Sequence, residues 1–383
     1  MRGLPPRPNI EHLRNAAKAR LRALRSTRPQ IQLAEAQLEV ARAYGFPSWR
    51  ALKTAVEANG TMGAAADDLF AGWYKIDPAL VTNAVIAVTR EGGRLFMQLT
   101  GQPKTQLIPD DAGGFSTPGL EQRYRFETAP HGPSPALLIE EPAWTVRAER
   151  TDAADAEMAQ AAYARNLVEQ ARPRSRIALP PEMQDRYVGS YAGPSGLVIE
   201  IRRRGASLFA EATGQTELEI LPEAEGRYFF TLVRAQLEFQ NGVDRAEAVV
   251  LHQDGHEVRF RRVTEAEARR IATVIEGKRA QQERPRTAVP IRPEALAQYA
   301  GVYQLSASTE LLVTVEDGRL FGQGTGQRRF EMFQESESRF FATVAAVQFS
   351  FLADEDGRID RVIVHQNGRD LLMMRAAPEG DGK

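Results

Sequence analysis

The sequence predicts a mainly β protein: three tandem small antiparallel barrels of about eight strands each, joined by helical linkers and preceded by an α-helical module. Three observations point there. First, a block recurs three times, GRLFMQLTGQ at 93–102, ASLFAEATGQ at 206–215 and GRLFGQGTGQ at 318–327, sharing Leu-Phe-x-x-x-Thr-Gly-Gln. Its central glycines, Gly101, Gly214 and Gly326, are 113 and 112 residues apart, and fixed-period similarity is the signature of a repeated architecture. Second, each block is preceded by Gly-x-Tyr, at Gly72/Tyr74, Gly189/Tyr191 and Gly301/Tyr303. Third, the last two copies share further blocks in the same order: RYFFT (227–231) with RFFAT (339–343), and VVLHQDG (249–255) with VIVHQNG (362–368).

The N-terminal module, residues 1–60, reads as helices over 9–27, 30–44 and 49–58, the last N-capped by Ser48 and stopped at Asn59-Gly60. Val40, Ala41, Tyr44, Phe46, Trp49, Leu52 and Val56 are its expected core. Residues 1–28 hold eight bases and one acid, Glu11, so the segment is +7 and the remainder −8. A solvated helix face, or one docked on the chain's own acidic body, is the expectation, and contact with nucleic acid or an anionic membrane the weaker alternative. Leu13, Leu21 and Leu24 are weak anchors with no aromatic among them, which disfavours membrane insertion. Ala41-x-x-x-Gly45 faintly resembles a helix-turn-helix, but Pro47, Ala51 and Thr54 spoil the pattern.

The three repeats are assigned to 67–151 (diverged), 181–263 and 293–376. Within each, short β-rich runs are separated by dipeptides suited to type I′ turns: Arg204-Gly205, Asn241-Gly242 and Asp254-Gly255, then Asp317-Gly318, Asp356-Gly357 and Asn367-Gly368. In the second copy the strands fall near 187–192, 197–203, 207–213, 216–221, 227–232, 236–240, 245–252 and 256–263. Such a meander leaves two edges unless it closes into a barrel. Eight strands enclose room for side chains or one small ligand. The linkers are 152–180 and 264–292, with helices over 152–171 and 264–283. Asp152 and Thr264 are their N-caps, Ile271, Val274 and Ile275 form an apolar stripe, and Pro173 and Pro285 stop the two helices.

Several chemistries are excluded or disfavoured. There is no cysteine among 383 residues, hence no disulfide or thiolate site. No cofactor and no metal site is expected. His252 and His256 flank the Asp254-Gly255 hairpin, but a zinc site needs three or four converging ligands, and in the third copy the matching pair is His365 and Arg369. Asp110-Asp111 and Asp354-Glu355-Asp356 read as loops. Phe96, Phe209 and Phe321 are expected in the core. No apolar leader is visible at the N-terminus, and a cytoplasmic protein is expected.

Each repeat resembles the β-barrel domain of unknown function found C-terminal to bacterial serine hydrolases of the beta-lactamase and penicillin-binding-protein type. In the second copy the matching residues are Tyr187, Gly189, Tyr191, Leu208-Phe209, Thr213-Gly214-Gln215, Leu221-Pro222, Tyr228-Phe229-Phe230, Phe239, His252-Gln253-x-Gly255 and Arg262. In the third they are Tyr299, Gly301, Tyr303, Leu320-Phe321, Phe340-Phe341, Phe349, Gln366-x-Gly368 and Arg375. In the first they are Gly72, Tyr74, Leu95-Phe96, Thr100-Gly101-Gln102, Pro109, Phe126 and Arg150. The resemblance implies a lipocalin-like fold, in which an aromatic of the first strand can stack on a late arginine; Tyr191 with Arg262 and Tyr303 with Arg375 are the candidate pairs. Residues 34–57 resemble a helical segment at the front of some bacterial ankyrin-repeat proteins.

The hydrolases carry their chemistry on a separate domain with a Ser-x-x-Lys motif. That motif is absent from this sequence, as are Gly-x-Ser-x-Gly and a phosphate-binding loop. The expected function is therefore non-catalytic: a binding or scaffold protein for an unknown protein or small apolar ligand, regulating or partnering a serine hydrolase in trans. The alternative is a small-molecule enzyme working inside a barrel cavity. The barrel interior separates the two, since apolar filling favours a scaffold and converging ionisable groups favour an enzyme.

Overall fold

The computed structural model describes residues 10–25, 28, 30–54, 56, 68–110, 113–141, 144–194, 196–290, 293–354 and 356–376. The Asn59-Gly60 stop, Asp111, Glu355 and the side chain of His12 lie outside the described residues. The chain divides into two compact units: Met1–Gly72 with Val88–Met97 and Thr105–Glu140, and Trp73–Ala87 with Gln98–Lys104 and Glu141–Lys383.

The first unit opens with helices α1 (Ile10–Arg25), α2 (Leu33–Ala43) and α3 (49–54). Leu13 and Ala17 of α1 bury against Val40, Ala41, Leu52 and Val56, with Tyr44, Phe46 and Trp49 at the margin. Gly45 (φ 83°) makes the turn after α2, and Ser48 Oγ caps α3 through the Ala51 amide at 3.1 Å. The basic face is partly neutralised within the module, since Arg20 and Arg28 both reach the Glu39 carboxylate, at 2.8 and 2.7 Å.

All three repeats close into antiparallel eight-stranded barrels. The first uses β1 (Gly72–Ile76), β3 (Val85–Glu91), β4 (Arg94–Leu99), β5 (Thr105–Pro109), β6 (Phe115–Ser116), β7 (Arg123–Phe126), β8 (Ala136–Glu141) and β9 (Trp144–Thr151). A short strand β2 (Val81–Thr82) leaves it and pairs with the last strand of the second barrel. The second barrel runs β10 (Gly189–Ala192), β11 (Val198–Arg204), β12 (Ser207–Ala212), β13 (Leu218–Ala224), β14 (Arg227–Phe230), β15 (Ala235–Asn241), β16 (Ala246–Gln253) and β17 (His256–Val263). The third runs β18 (Gly301–Ser306), β19 (Thr309–Glu316), β20 (Arg319–Gly324), β21 (Phe330–Ser336), β22 (Arg339–Ala342), β23 (Val347–Ala353), β24 (Ile359–Gln366) and β25 (Arg369–Arg375). Three of the six expected turns, Asp254-Gly255, Asp317-Gly318 and Asn367-Gly368, hold both residues at positive φ, as type I′ demands. Arg204, Asn241 and Asp356 do not. Asp354 instead organises its own loop, accepting from the Asp356 and Arg358 amides at 2.9 Å each.

Closure explains the Gly-x-Tyr motif. The tyrosine stands directly opposite an arginine of the last strand in all three barrels: Tyr74 with Arg150, Tyr191 with Arg262, Tyr303 with Arg375. The guanidinium carbons lie 5.0, 4.7 and 5.9 Å from the ring centres. Arg262 also donates to the carbonyls of Val188 (2.7 Å), Arg186 (3.0 Å) and Ala246, and to the Tyr191 hydroxyl (2.5 Å). The Tyr191 hydroxyl in turn donates to the Tyr187 carbonyl at 2.7 Å. Burial pushes the Tyr191 phenol up to about 12, against the lowering effect of Arg262, so it remains a neutral donor. Gly189 (φ +145°) has no room for a side chain, because a Cβ there would stand 2.2 Å from Arg262 Nη1.

The interiors are filled. In the second barrel Tyr187, Tyr191, Tyr228 and Phe239 form a cage with ring centres 4.5–5.9 Å apart. Tyr299, Tyr303, Phe340 and Phe351 repeat it in the third, at 4.9–5.6 Å. Phe351, not Phe349, is thus the counterpart of Phe239; Phe349 stacks on Phe330 instead. In the first unit Phe70, Phe115 and Phe126 cluster likewise. Phe96, Phe209 and Phe321 are not core residues. The leucine before each is the buried one, at 2% exposure or less, and the phenylalanine faces outward, with arginines over Phe209 (5.0 Å) and Phe321 (3.8 Å). Strand alternation sends neighbours to opposite faces, and the leucine takes the inside.

The linker helices α4 (Ala153–Gln170) and α6 (Glu265–Gln282) start at the expected caps, Asp152 and Thr264. They are clamps as well as spacers. Gln170 Oε1 accepts from the Gly255 amide (2.8 Å), its Nε2 donates to the His256 carbonyl (3.3 Å), and its own carbonyl accepts from Gln236 (3.3 Å). Gln282 repeats all three bonds with Gly368, Arg369 and Gln348, at 2.7, 3.2 and 2.6 Å. Each helix therefore grips the final hairpin of the barrel that follows it. Ala268, Ala272 and Ile275 are the buried apolar positions of α6, while Val274 points to solvent. A Cβ on Gly101 or Gly255 would strike Tyr163 of α4, which assigns Thr-Gly-Gln a packing role in the first copy. A short helix α5 (Pro181–Gln184) leads into the second barrel. Among the described residues no helix is long and apolar enough to cross a membrane.

Two core substitutions should move stability in opposite directions. Gly189→Ala forces a side chain into a left-handed position beneath Arg262 and should cost about 1–3 kcal/mol. Tyr228→Phe removes a buried hydroxyl that has no hydrogen-bond partner and copies Phe340 of the third barrel, so it should gain about 1 kcal/mol. Urea denaturation followed by amide exchange in the second barrel checks both; a loss of stability in Tyr228→Phe would contradict the packing.

Candidate functional site

With aromatic cages inside, sets of ionisable groups gather on the outer faces of the second and third barrels, under their linkers. In the second barrel a cleft of about 350 Å³ opens between α4 with its extension and strands β13–β17. The ionisable side chains of its wall are Glu169, Arg174, Glu223, Arg227, Glu238, His252 and Glu257. Arg174 crosses from the linker to Glu223 (2.9 Å), and Arg227 reaches Glu238 on the neighbouring strand (3.0 Å). His252 sits between two carboxylates, with Nε2 3.5 Å from Glu238 and Nδ1 3.5 Å from Glu257. Glu257 also takes bonds from Thr82 (3.3 Å) and Asn166 (3.4 Å). The His252 hydrogen bond, aided by its charge and by Thr82 and Asn166, holds the Glu257 carboxyl below its usual range against the opposing effect of burial.

The third barrel carries the same arrangement with different chemistry. The linker ion pair recurs as Arg286–Glu335 at 2.6 Å. His365 occupies the place of His252, Asp370 that of Glu257, and Ser350 that of Glu238. Ser350 Oγ lies 2.9 Å from His365 Nε2, and His365 Nδ1 lies 2.6 Å from Asp370 Oδ1. Lys278 Nζ of α6 stands 3.8 Å from Asp370 Oδ2. Burial works to raise the Asp370 pKa, but the His365 hydrogen bond and the charges of His365 and Lys278 prevail and lower it.

The structure does not bring His252 and His256 together. In the β16–β17 register His252 faces Glu257, and His256 faces Gln253, so the two imidazoles leave the sheet on opposite sides. His256 turns toward the first repeat, contacting the carbonyls of Thr82 (3.3 Å) and Thr100 (3.1 Å) and the ring of Tyr163. Asp110 is a loop residue, binding Arg123 at 2.8 Å and the Gly114 amide at 3.0 Å. No cluster of three metal-ligating side chains occurs among the described residues. The outer-face groups Glu238, Glu257, Ser350 and Asp370 have no place among the candidates from sequence. Their signal was an acid at the same place after each repeated His-Gln, HQDGHE at 252–257 and HQNGRD at 365–370. The Glu238 and Ser350 positions emerge only from cross-strand register.

A family model described as a domain of unknown function (DUF3471) matches residues 173–262 and 285–375, the second and third barrels with their lead-in segments. Penicillin-binding protein 4* of Bacillus subtilis (strain 168) is 32% identical over 92 residues, covering 24% of this chain and 20% of that protein. The chain thus spans about a fifth of that relative's length. Among solved structures, the crystal structure of SurE is 13% identical with a TM-score of 0.22, covering 61% of this chain and 49% of that one. A DNA polymerase sliding clamp from Pseudomonas aeruginosa is 9% identical with a TM-score of 0.10, covering 82% and 94%. Likenesses at that level do not define the fold. The second and third barrels match a domain of unknown function, and the chain bears distant similarity to a penicillin-binding protein.

The depressed Glu257 pKa sets a sign for pH dependence. Its folded value lies below its unfolded value, so its contribution is fully present above the unfolded pKa and is lost as pH falls through the folded one. Glu257→Gln should therefore lower the denaturation midpoint of the second barrel at neutral pH, and the variant and parent should converge in acid. An equal gap at both pH values would show that the carboxylate charge is not what the cleft uses.

Proposed function

We propose that this chain is a binding scaffold that partners a separate serine hydrolase in trans. The observation that carries the proposal is the filling of the barrels. The aromatic cages occupy the second and third interiors, so recognition falls to the outer faces, above all the charged cleft of the second barrel. The match of two barrels to a domain of unknown function supports an accessory role, as does the similarity of one stretch to a penicillin-binding protein. The sequence lacks the Ser-x-x-Lys nucleophile of such hydrolases. The partner is then a polar protein surface rather than a small apolar ligand. We place the protein in the cytoplasm and class the barrels as lipocalin-like.

Two alternatives have less support. An enzyme working inside a barrel needs ionisable groups converging there, and among the described residues the second and third interiors hold four-ring cages of tyrosine and phenylalanine. Contact with nucleic acid through the basic N-terminal helices competes with Glu39, which already holds Arg20 and Arg28.

Purification of the full-length protein from its native cells, followed by labelling with a fluorescent penicillin, tests the proposal. A penicillin-reactive hydrolase should co-elute with the parent protein, and an Arg227→Glu, Arg174→Glu variant should lose it. Recovery of no such hydrolase would overturn the partnership in trans.

A further inference from the structure

We propose that the outer face of the third barrel carries a serine nucleophile, Ser350, activated by His365 and positioned through Asp370, which accepts acyl groups from small esters. This goes beyond the scaffold role and stands without it. Three strands fix the geometry. Ser350 lies on β23, His365 at the end of β24 and Asp370 at the start of β25. The Asn367-Gly368 turn between the last two sets His365 directly opposite Asp370. Ser350 pairs with Ile363 and Gln348 with His365, so Ser350 is the diagonal neighbour of the imidazole on the same face, within reach of a side-chain contact.

Hydrogen-bond chemistry then fixes the tautomer. An ionised carboxylate only accepts, so the 2.6 Å contact requires the proton on His365 Nδ1. In its neutral form the ring then keeps its lone pair on Nε2, 2.9 Å from Ser350 Oγ, and the hydroxyl donates to it. That is the nucleophile–base–orienting group arrangement of acyl transfer. Lys278 holds the second Asp370 oxygen. The His365 and Asp370 side chains are 24% and 20% exposed, so the site is open to small molecules. Arg339 faces Ser350 across the strand pair, as Arg227 faces Glu238 in the second barrel, and supplies a cation beside the nucleophile for the oxyanion.

The step balances without a co-reactant beyond water. Ser350 Oγ attacks the ester carbonyl while its proton passes to His365 Nε2, and a tetrahedral oxyanion forms near Arg339. The ester C–O bond breaks as the leaving alkoxide takes the proton from Nε2. Water then attacks the acyl-serine, giving its proton to Nε2, which returns it to Ser350 as the acid departs. The second barrel is the internal control: Glu238 replaces Ser350 there, and the imidazole has no hydroxyl to deprotonate.

The test uses the full-length protein with a fluorophosphonate probe, peptide mass spectrometry to locate the adduct, and p-nitrophenyl acetate as the ester. The expected result is one phosphonyl group on Ser350 and a burst of about one p-nitrophenol per chain, both absent in Ser350→Ala, a surface change that spares the core. His365→Gln should slow labelling about 100-fold. Asp370→Asn should slow it and remove the downfield Nδ1 proton resonance, and Asp370→Glu should restore both. Labelling of Ser350 no faster than that of other serines in the parent protein, equal labelling in His365→Gln, or an equal burst in Ser350→Ala would overturn the proposal.

Discussion

The seam between first and last strands is the constraint on which the rest depends. A sheet with free edges exposes unpaired amides and carbonyls, and each repeat removes them by closing on itself. The tyrosine of Gly-x-Tyr and the late arginine meet at that seam in all three copies, with ring centre and guanidinium 4.7–5.9 Å apart. In the second and third barrels the arginine also binds the carbonyls of the segment leading into the barrel. The glycine is needed because the guanidinium lies where its side chain would be.

Closure has a chemical consequence. An eight-stranded barrel has a narrow interior, and the four-ring cages use it up. Apart from the seam arginines and the cage hydroxyls, the polar groups of the two sites lie outside, where the linker helices cover part of each barrel. The same glutamine ends both helices and grips the same hairpin, so the two outer faces inherit one frame. Within that frame a few side chains decide the chemistry. Glu238, His252 and Glu257 make an ionic wall, and Ser350, His365 and Asp370 a hydrogen-bonded chain from hydroxyl to carboxylate. Duplication preserved the positions and changed what stands on them.

Much of the fold was legible in the sequence because it depends on local signals. The Leu-Phe-x-x-x-Thr-Gly-Gln blocks set the period, the Asx-Gly pairs marked the tightest turns, and Asp152 and Thr264 marked helix starts. The Tyr191–Arg262 and Tyr303–Arg375 pairs were legible through the resemblance to lipocalin-like barrels, in which a first-strand aromatic can stack on a late arginine. The sites were not, because they depend on register. In Leu-Phe, alternation shows that one residue points inward without saying which, so Phe209 and Phe321 were placed inside when Leu208 and Leu320 belong there. His252 and His256 look adjacent along the chain, yet strand parity sends them to opposite faces. Ser350 and His365 are fifteen positions apart and become neighbours only once β23 and β24 are aligned. Gln170 and Gln282 gave no signal at all, since a helix-terminal glutamine looks like any solvated residue until its hairpin is found.

Residue-resolved hydrogen exchange across the second and third barrels tests closure most directly. If the seams are sealed, the ladder amides of β10, β17, β18 and β25 exchange as slowly as those of the interior strands β12 and β20. Fast exchange confined to those four strands would mean that the sheets stand open, and would remove the basis for filled interiors and for placing the chemistry outside.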